Sequence, residues 1–199
     1  GPVKGSPYHP MIHPWNWRWH SSVGGGQLLD WVGHHVDIAL WTLKLDRTGP
    51  VKVEATGELG DHKFFNTYVK YAYQGTYADG RVIEVRSGFG GTKITGENGW
   101  IHVDRGRLEA SDREMLRNVP AGYQEKNPNH AQDFVNCVRE KRFDTASDPE
   151  GSHRSASFGM LAIVAMDTKQ TVHWDPTSEK VKDNAEQAAH PRLGSRIAV

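Results

Sequence analysis

Asp30 and His34 lie four residues apart in a segment whose apolar residues recur with helical periodicity, a spacing that places a carboxylate and an imidazole on one helix face. A neighbouring carboxylate raises the pKa of a histidine and fixes its tautomer, as a general acid or base requires. Regular helical geometry adds Asp37 and Trp41 to the same face. Residues 24–43 contain no Lys, Arg or Glu, the residues that usually cover a solvated helix face. The pattern therefore predicts a functional cleft, with Asp30 and His34 as the catalytic pair. Asp37 is a candidate for binding a substrate hydroxyl, with a structural role as the alternative.

Gly24, Gly25 and Gly26 directly precede this helix. Glycines accept unusual backbone conformations and let a ligand or cofactor approach the chain closely. The three are therefore candidate cofactor-binding residues, with a flexible hinge as the alternative. Arg18 and His20 come just before them and could donate hydrogen bonds to the hydroxyls or a carboxylate of a ligand. We predict that Arg18 and His20 bind substrate in the same cleft.

Three tryptophans, Trp15, Trp17 and Trp19, alternate with polar residues in this upstream segment. A period of two is typical of an extended strand. Tryptophan rings can stack on sugar rings, but tryptophan is on average a largely buried residue. The pattern therefore predicts that at least two of the three lie in the core.

A divalent metal is a second chemistry open to this segment, because Asp and His one helical turn apart suit metal coordination. The further ligand of a metal-dependent hydrolase or lyase would be His9, His13 or His20. Sequence spacing fixes none of these three histidines relative to the helix, and the single cysteine excludes a cysteine-based zinc site. The site is therefore predicted to hold no metal, and a metal enzyme is kept as an alternative.

The charge composition of the chain argues against nucleic acid and anionic membranes as partners. The chain has 199 residues with 24 basic and 24 acidic side chains, whereas binding to nucleic acid or to an anionic membrane needs clustered basic charge. No run of about 18 apolar residues occurs, so no membrane span is predicted. One cysteine and the lack of a visible leader favour the cytoplasm without fixing the compartment.

The elements around the cleft are a helix, a run of strands and two further helices. The first helix is predicted over about 27–43, and strands rich in β-branched and aromatic residues are predicted over 51–57, 64–73, 81–87, 100–103 and 107–110. A helix capped by Asn129 is predicted to bury one stripe, formed by Ala131, Phe134, Val135 and Val138. A longer buried helix is predicted over 152–169 and a short strand over 171–174. This order predicts an α+β domain, a largely antiparallel open sheet with helices packed on one face. Residues 177–199 are polar and predict a mobile or docking tail.

Four segments, in the same order along the chain, resemble the Gfo/Idh/MocA oxidoreductases. Residues 24–41 (GGGQLLDWVGHHVDIALW) resemble the family signature GGG-x-L-x-D-x-x-x-H-x-x-D, and residues 96–106 (GENGWIHVDRG) resemble its GEKGWI-x-VDRG segment. The segment HAQDFVNCVR at 130–139 and the Asp-Pro pair at 175–176 are similar to two further family segments. The likeness extends from about residue 1 to residue 176.

The resemblance implies a dihydrodipicolinate-reductase-like fold over residues 1–176, as in the C-terminal domain of glucose-fructose oxidoreductase. It also implies an NAD(P)-dependent oxidoreductase acting on a sugar or polyol hydroxyl, in which Asp30 and His34 match the catalytic residues of the family. The family's N-terminal Rossmann domain, with its glycine fingerprint and catalytic lysine, has no counterpart in this sequence. We therefore expect NAD(P) to be bound mainly by a missing domain, and this chain alone not to complete the reaction.

The resemblance further implies partners. The open face of the sheet commonly pairs with another subunit in this family, so a homodimer or homotetramer is expected. The small-molecule partner would be a sugar or polyol. If the nucleotide-binding domain has been lost, the chain would instead be a non-catalytic carbohydrate-binding or oligomerisation module, which is the alternative function.

Overall fold

Antiparallel pairing joins the strands of the structure, a computed structural model that describes residues 9–11, 14–62, 64–117, 129–145 and 147–193. The strands of these residues are β1 (Lys52–Leu59), β2 (Tyr68–Thr76), β3 (Val82–Arg86), β4 (Thr92–Gly96), β5 (Gly99–Asp104), β6 (Arg107–Ala110), β7 (Val172–Asp175) and β8 (Lys180–Val181). One sheet has the order β3-β2-β1-β7-β8, and a smaller sheet has the order β4-β5-β6. The predicted α+β class with a largely antiparallel sheet is confirmed.

Helices α4 (Pro149–Thr168) and α1 (Gly26–Trp31) pack against the larger sheet. The other helices of the described residues are α2 (Asp37–Thr42), α3 (His130–Glu140) and the short α5 (Ala185–Ala188). The core lies between α4 and the sheet, where Phe158 and Leu161 share one buried cluster with Val53 and Val172. No helix of the described residues is long and apolar enough to cross a membrane.

The long helix α4 touches the sheet closely because a glycine faces its largest side chain. Gly75 pairs with Val53 in the β1–β2 register, and a Cβ at Gly75 would come 2.5 Å from a ring carbon of Phe158. Asp148 begins α4 as its N-cap, accepting hydrogen bonds from the Glu150 and Gly151 backbone N–H groups at 3.1 Å. These contacts fix α4 against the sheet on which the site is built.

The small sheet contains a strand that the sequence did not predict. Glycines before and within residues 88–96 are typical of turns, yet β4 forms there and pairs with β5 from Thr92↔Val103 to Gly96↔Gly99. The Oγ1 of Thr92 donates to the backbone oxygen of His35 at 2.8 Å. The small sheet therefore packs against the middle of the predicted first helix.

That first helix is interrupted by a wide turn. Val32–Val36 form a π-helical segment between α1 and α2, in which the Asp37 N–H donates to the carbonyl of Val32 five residues earlier. The prediction of one regular helix over 27–43 therefore needs correction. A turn closed over five residues rotates the chain less per residue, so the residues after it no longer follow the register of those before it.

The tryptophan segment is a 3₁₀ helix, Asn16–Trp19, and the prediction of an extended strand is wrong. Side chains three residues apart eclipse one another in a 3₁₀ helix, and this places the guanidinium of Arg18 over the ring of Trp15 at 4.1 Å. Trp15 and Trp17 are 66% and 44% exposed. The prediction that at least two of the three tryptophans are buried is therefore also wrong.

Helix α3 turns a different face inward from the one predicted. Asn129 caps it as expected, accepting from the N–H groups of Ala131 and Gln132 at 3.0 and 3.3 Å. The buried residues are Asp133 and Cys137, whereas Phe134 and Val138 of the predicted core stripe are 64% and 63% exposed. An apolar face of α3 is thus open in this chain.

Candidate functional site

Asp30 forms an ion pair with Arg18, and this pair is the centre of the candidate site. The Arg18 Nη1 lies 3.3 Å from the Asp30 Oδ2, and both side chains are partly exposed. The other contact of Arg18 is the ring of Trp15, while the Arg18 Nε is buried without a hydrogen-bond acceptor in the described structure. Asp30 is therefore a carboxylate held in place from outside its own helix.

His34 is exposed and contacts the edge of the Trp31 ring, with the ring centroids 5.7 Å apart. Within the described residues no hydrogen bond or ion pair joins it to Asp30. His34 lies in the wide turn, and Asp30 lies in α1 before it. The structure thus brings a fixed carboxylate and a free imidazole to the same short stretch of helix without pairing them.

His35, the neighbour of His34, is turned toward the small sheet. Its ring packs on Trp31 at 4.8 Å, and burial lowers its pKa, with Asp104 opposing this effect. A histidine that burial keeps neutral and whose ring is packed has a structural reason for its position. His34 is therefore the freer of the two imidazoles.

Asp37 does not share the environment of Asp30. Its Oδ1 accepts a hydrogen bond of 2.6 Å from the Oγ of Ser155 in α4. The wide turn explains the difference, because Asp37 follows it and has lost the register that a regular helix would have kept with Asp30. The structure places Asp37 at the packing surface with α4, and its substrate-binding role stays a prediction.

His20 is half-buried and engaged by its own neighbour. Its Nδ1 accepts from the Ser22 hydroxyl at 2.6 Å, and the His20 carbonyl accepts from the N–H groups of Val23 and Gly24 at 3.0 and 2.8 Å. These bonds build the turn that leads into α1. Substrate binding by His20 also stays a prediction.

The three glycines are tightly surrounded by this chain's own atoms. A Cβ at Gly24 would overlap the carbonyl of Arg18, and one at Gly26, where φ is +62°, would overlap the Thr67 hydroxyl. At Gly25 the Leu29 side chain fills the same space. Close packing against this chain's own atoms is a structural reason for glycine at these three positions. Their contact with a cofactor stays a prediction.

Two residues near the site were missed in the sequence. Tyr71 on β2 is 7% exposed, and burial together with the charge of Asp30 raises its pKa to about 12, so a neutral phenol lies near that carboxylate. Arg192 donates to the carbonyls of Ser21 and Gly24. Tyr71 belongs to the alternating strand pattern and could have been assigned to the inner face, whereas nothing in the polar tail marked Arg192.

Among the histidines proposed as the further metal ligand, His9 and His20 are the ones that the structure describes. In the parts of the chain that the structure describes, no three His, Cys, Asp or Glu residues lie close enough to hold a metal ion. The ring of His9 stacks on Phe64 at 4.6 Å, and His13 lies outside the described residues.

The described residues form an α+β domain with a polar, partly exposed site that contains Asp30 and His34. Comparison with known proteins identifies the family of this domain. Residues 1–193 match the family described as "Oxidoreductase family, C-terminal alpha/beta domain" of the Gfo/Idh/MocA group. The chain belongs to this family. A search of curated protein sequences finds no match.

Solved structures share the fold at low sequence identity. An NAD-binding protein from Listeria innocua is 18% identical with a TM-score of 0.57, over 80% of this chain and 51% of that one. Aldose-aldose oxidoreductase from Caulobacter crescentus, complexed with glycerol, gives 18% and 0.57 over 79% and 50%. Levoglucosan dehydrogenase in complex with NADH gives 19% and 0.52 over 80% and 53%. The chain thus spans about half the length of these structures.

Proposed function

We propose that this chain is the substrate-binding and catalytic half of an NAD(P)-dependent oxidoreductase that oxidises a hydroxyl group of a sugar or polyol. The observation that carries this proposal is the Asp30 carboxylate, paired with Arg18 at 3.3 Å, in the same short stretch of helix as His34. The His34 imidazole is exposed and has no hydrogen bond or ion pair among the residues that the structure describes. Membership of the oxidoreductase family supports the reaction class.

His34 and Asp30 have different roles toward the substrate hydroxyl. Oxidation of an alcohol removes a hydride from carbon and a proton from oxygen, leaving a carbonyl. His34 accepts the hydroxyl proton as the general base, since its imidazole is exposed and held by no hydrogen bond in the described structure. Asp30, whose side chain is partly exposed beside Arg18, accepts a hydrogen bond from the substrate and orients it. Asp30 therefore acts on the substrate directly instead of through His34.

A nicotinamide cofactor held mainly by residues outside this chain would supply the hydride acceptor. Solved relatives of the fold are described as NAD-binding or as complexes with NADH, which supports this assignment. The described residues contribute the hydroxyl-binding side of the reaction.

Exposed aromatic rings next to Arg18 and Asp30 support a sugar or polyol as substrate. Trp15 and Trp17 offer ring faces on which the C–H groups of a sugar can stack, beside charged groups that hydrogen-bond hydroxyls. One relative of the fold is an aldose-aldose oxidoreductase crystallised with glycerol, and another is a levoglucosan dehydrogenase.

The test uses a form of the protein that includes a nucleotide-binding half, with NADH formation followed by absorbance over a panel of sugars and polyols. His34→Ala should lower kcat by about 10²- to 10⁴-fold, the usual contribution of a general base, with NAD(P) affinity nearly unchanged. Asp30→Asn should lower kcat/KM, since an amide binds the hydroxyl less strongly than a carboxylate.

The matched control is His35→Ala, the adjacent histidine that packs on Trp31. It should keep kcat within a few-fold of the parent, because its ring takes no part in proton transfer. Equal turnover by His34→Ala and the parent would remove His34 from the mechanism. No turnover of any sugar or polyol by the parent would overturn the proposed substrate class.

A further inference from the structure

The segment after β8 is packed back onto the domain by a buried glutamine. Gln187 of α5 is fully buried, and its Nε2 donates to the Thr168 hydroxyl at 3.0 Å and to the carbonyls of Gln170 and Thr171 at 3.4 and 3.3 Å. A buried amide with three acceptors is costly to expose. The C-terminal end of the described chain is therefore anchored beside the end of α4.

A second anchor follows directly. The His190 Nε2 lies 3.1 Å from the Oδ2 of Asp167, whose Oδ1 accepts a hydrogen bond of 2.7 Å from the Tyr68 hydroxyl. Burial and this hydrogen bond raise the pKa of Tyr68, so its phenol remains the donor. Asp167 thus joins the C-terminal segment, α4 and β2.

From these two anchors Arg192 reaches the turn that leads into the candidate site. One guanidinium nitrogen, Nη2, donates to the carbonyl of Gly24 at 2.7 Å and also to that of Ser21. Arg192 is half-buried, and burial lowers its pKa. Charged donors to backbone carbonyls are stronger than neutral ones, so these bonds tie the turn firmly to the C-terminal segment.

The Ser21–Gly24 turn contacts Arg18, the residue that forms the ion pair with Asp30. Gly24 lies directly against the backbone of Arg18, closely enough that only a glycine fits. Arg18 is in turn ion-paired with Asp30 at 3.3 Å. Contacts therefore run without a break from Arg192 through the Ser21–Gly24 turn to Arg18 and Asp30.

We propose that Arg192 is a positioning residue of the candidate site: by closing the Ser21–Gly24 turn it fixes the Arg18 backbone and so the Asp30 carboxylate that binds the substrate. The assignment of Asp30 rests on the proposed function, whereas the control of the turn by Arg192 rests on this chain's own contacts. The C-terminal segment is then part of the site, although Arg192 is 171 and 168 residues away in sequence from the two carbonyls that it binds.

The test compares Arg192→Met with Arg154→Met in this chain. Arg154 is the matched control, because it also donates to a backbone carbonyl, that of Pro176 at 2.9 Å, on another part of the fold. Amide hydrogen exchange followed by mass spectrometry needs neither sugar nor cofactor. Arg192→Met should speed exchange in peptides covering residues 18–26 by about tenfold, the worth of one charged hydrogen bond, and Arg192→Lys should restore part of the protection.

A spectroscopic readout separates positioning of the site from general loosening. With 5-fluorotryptophan incorporated, the ¹⁹F resonance of Trp15, assigned by Trp15→Phe, should shift in Arg192→Met and not in Arg154→Met, because Arg18 stacks on that ring. Unchanged exchange over 18–26, an equal loss in Arg154→Met, or an unmoved Trp15 resonance would each overturn the proposal.

A measurement of sugar binding completes the test. It distinguishes a failure of the role proposed for Arg192 from a failure of the proposed function. For a sugar or polyol that the parent binds in calorimetry, Arg192→Met should weaken the affinity by about tenfold, because the positioned Asp30 contact is charged. Unchanged affinity with a loosened turn would overturn the link to the site. Failure of hydride transfer in the enzyme assay would instead count against the proposed function alone.

Discussion

At the scale of single residues, the partner of a side chain decides what it can do. Asp30 and Asp37 are the same residue type in one helical segment, yet Asp30 meets an arginine at 3.3 Å and Asp37 meets a serine hydroxyl at 2.6 Å. A partly exposed carboxylate can receive a ligand. A carboxylate that joins two helices contributes to stability first.

The Asp37–Ser155 bond should therefore be measurable in unfolding. Asp37→Ala and Ser155→Ala should each lower the free energy of unfolding by about 1–3 kcal/mol, because each removes the hydrogen bond between the Ser155 hydroxyl and the Asp37 carboxylate. In urea titrations of the single and double variants, the coupling energy should be about 0.5–3 kcal/mol. Asp61→Ala, at an exposed position, is the control. An unchanged stability of Asp37→Ala with weakened sugar binding would return Asp37 to the substrate site.

Residue type and spacing are local properties, and they select Asp30 and His34 as candidate catalytic residues, a role that stays a prediction. The sequence could not supply the partner of Asp30. The predicted partner, His34, is four residues away, whereas the observed partner, Arg18, lies in a 3₁₀ helix and stacks on Trp15. Long-range contacts of this kind leave no periodic signal.

At the scale of elements, capping of α4 links a loop to the core. Asp148 caps the helix and also receives the guanidinium of Arg47, with Nη2 at 3.0 Å from Oδ2. The hydrogen bond from Arg47 holds the pKa of the Asp148 carboxyl below its ordinary value of 3.8. The folded chain therefore releases this proton more readily than the unfolded chain.

The free energy of unfolding should fall in acid in part through Asp148. Because the pKa of Asp148 is lower in the folded state, its contribution is fully present above the unfolded value of about 3.9 and is lost as the pH falls through the folded pKa. Asp148→Asn should therefore reduce the free energy of unfolding at about pH 6 and flatten its fall toward about pH 2. Asp112→Asn, which alters the cap of a short 3₁₀ helix, is the control. Parallel pH profiles for parent and Asp148→Asn would contradict this.

Helices and strands could be predicted from the sequence where apolar residues recur at the spacing of a helix or a strand. Strands β1, β2 and β3 overlap predicted segments that are rich in β-branched and aromatic residues. More and less buried positions alternate in β3 and over residues 71–75 of β2. The sequence pattern did not predict β4, because glycines such as those around this strand are typical of turns. It also predicted the wrong buried face for α3, whose predicted core stripe is exposed. In α3 the amphipathic pattern is real, but nothing within one helix tells which face the domain will cover.

At the scale of the whole molecule, the larger sheet leaves one face uncovered by helices. Thr56 and Ala72 pair across β1 and β2 and are both exposed. Around them lie polar pairs such as Lys70 with Glu58 at 2.8 Å and Lys52 with Glu54 at 2.9 Å. We propose this face as the contact between subunits of a homodimer or homotetramer, as the family resemblance implies.

Ala72→Arg should disrupt that assembly, because a long charged side chain at the middle of a packed sheet face prevents close approach. In light scattering after size exclusion, the parent should elute as a dimer or tetramer and Ala72→Arg as a monomer. Thr95→Arg, on an exposed position of the small sheet, should leave the mass unchanged. A monomeric parent would overturn the proposed assembly.

The wide turn at Val32–Val36 also bears on how this fold can diverge. This π-helical segment contains one residue more than a regular α-helix would need over the same length. Leu28 before it and Leu40 after it are both buried. Gly33 lies within it, is exposed, and has no atom within 4 Å of a Cβ placed there. Losing that residue would restore a regular helix and keep the core on both sides, but it would rotate His34 relative to Asp30. Gain or loss of a single residue at this point is therefore an evolutionary route by which the chemistry can change while the core stays the same.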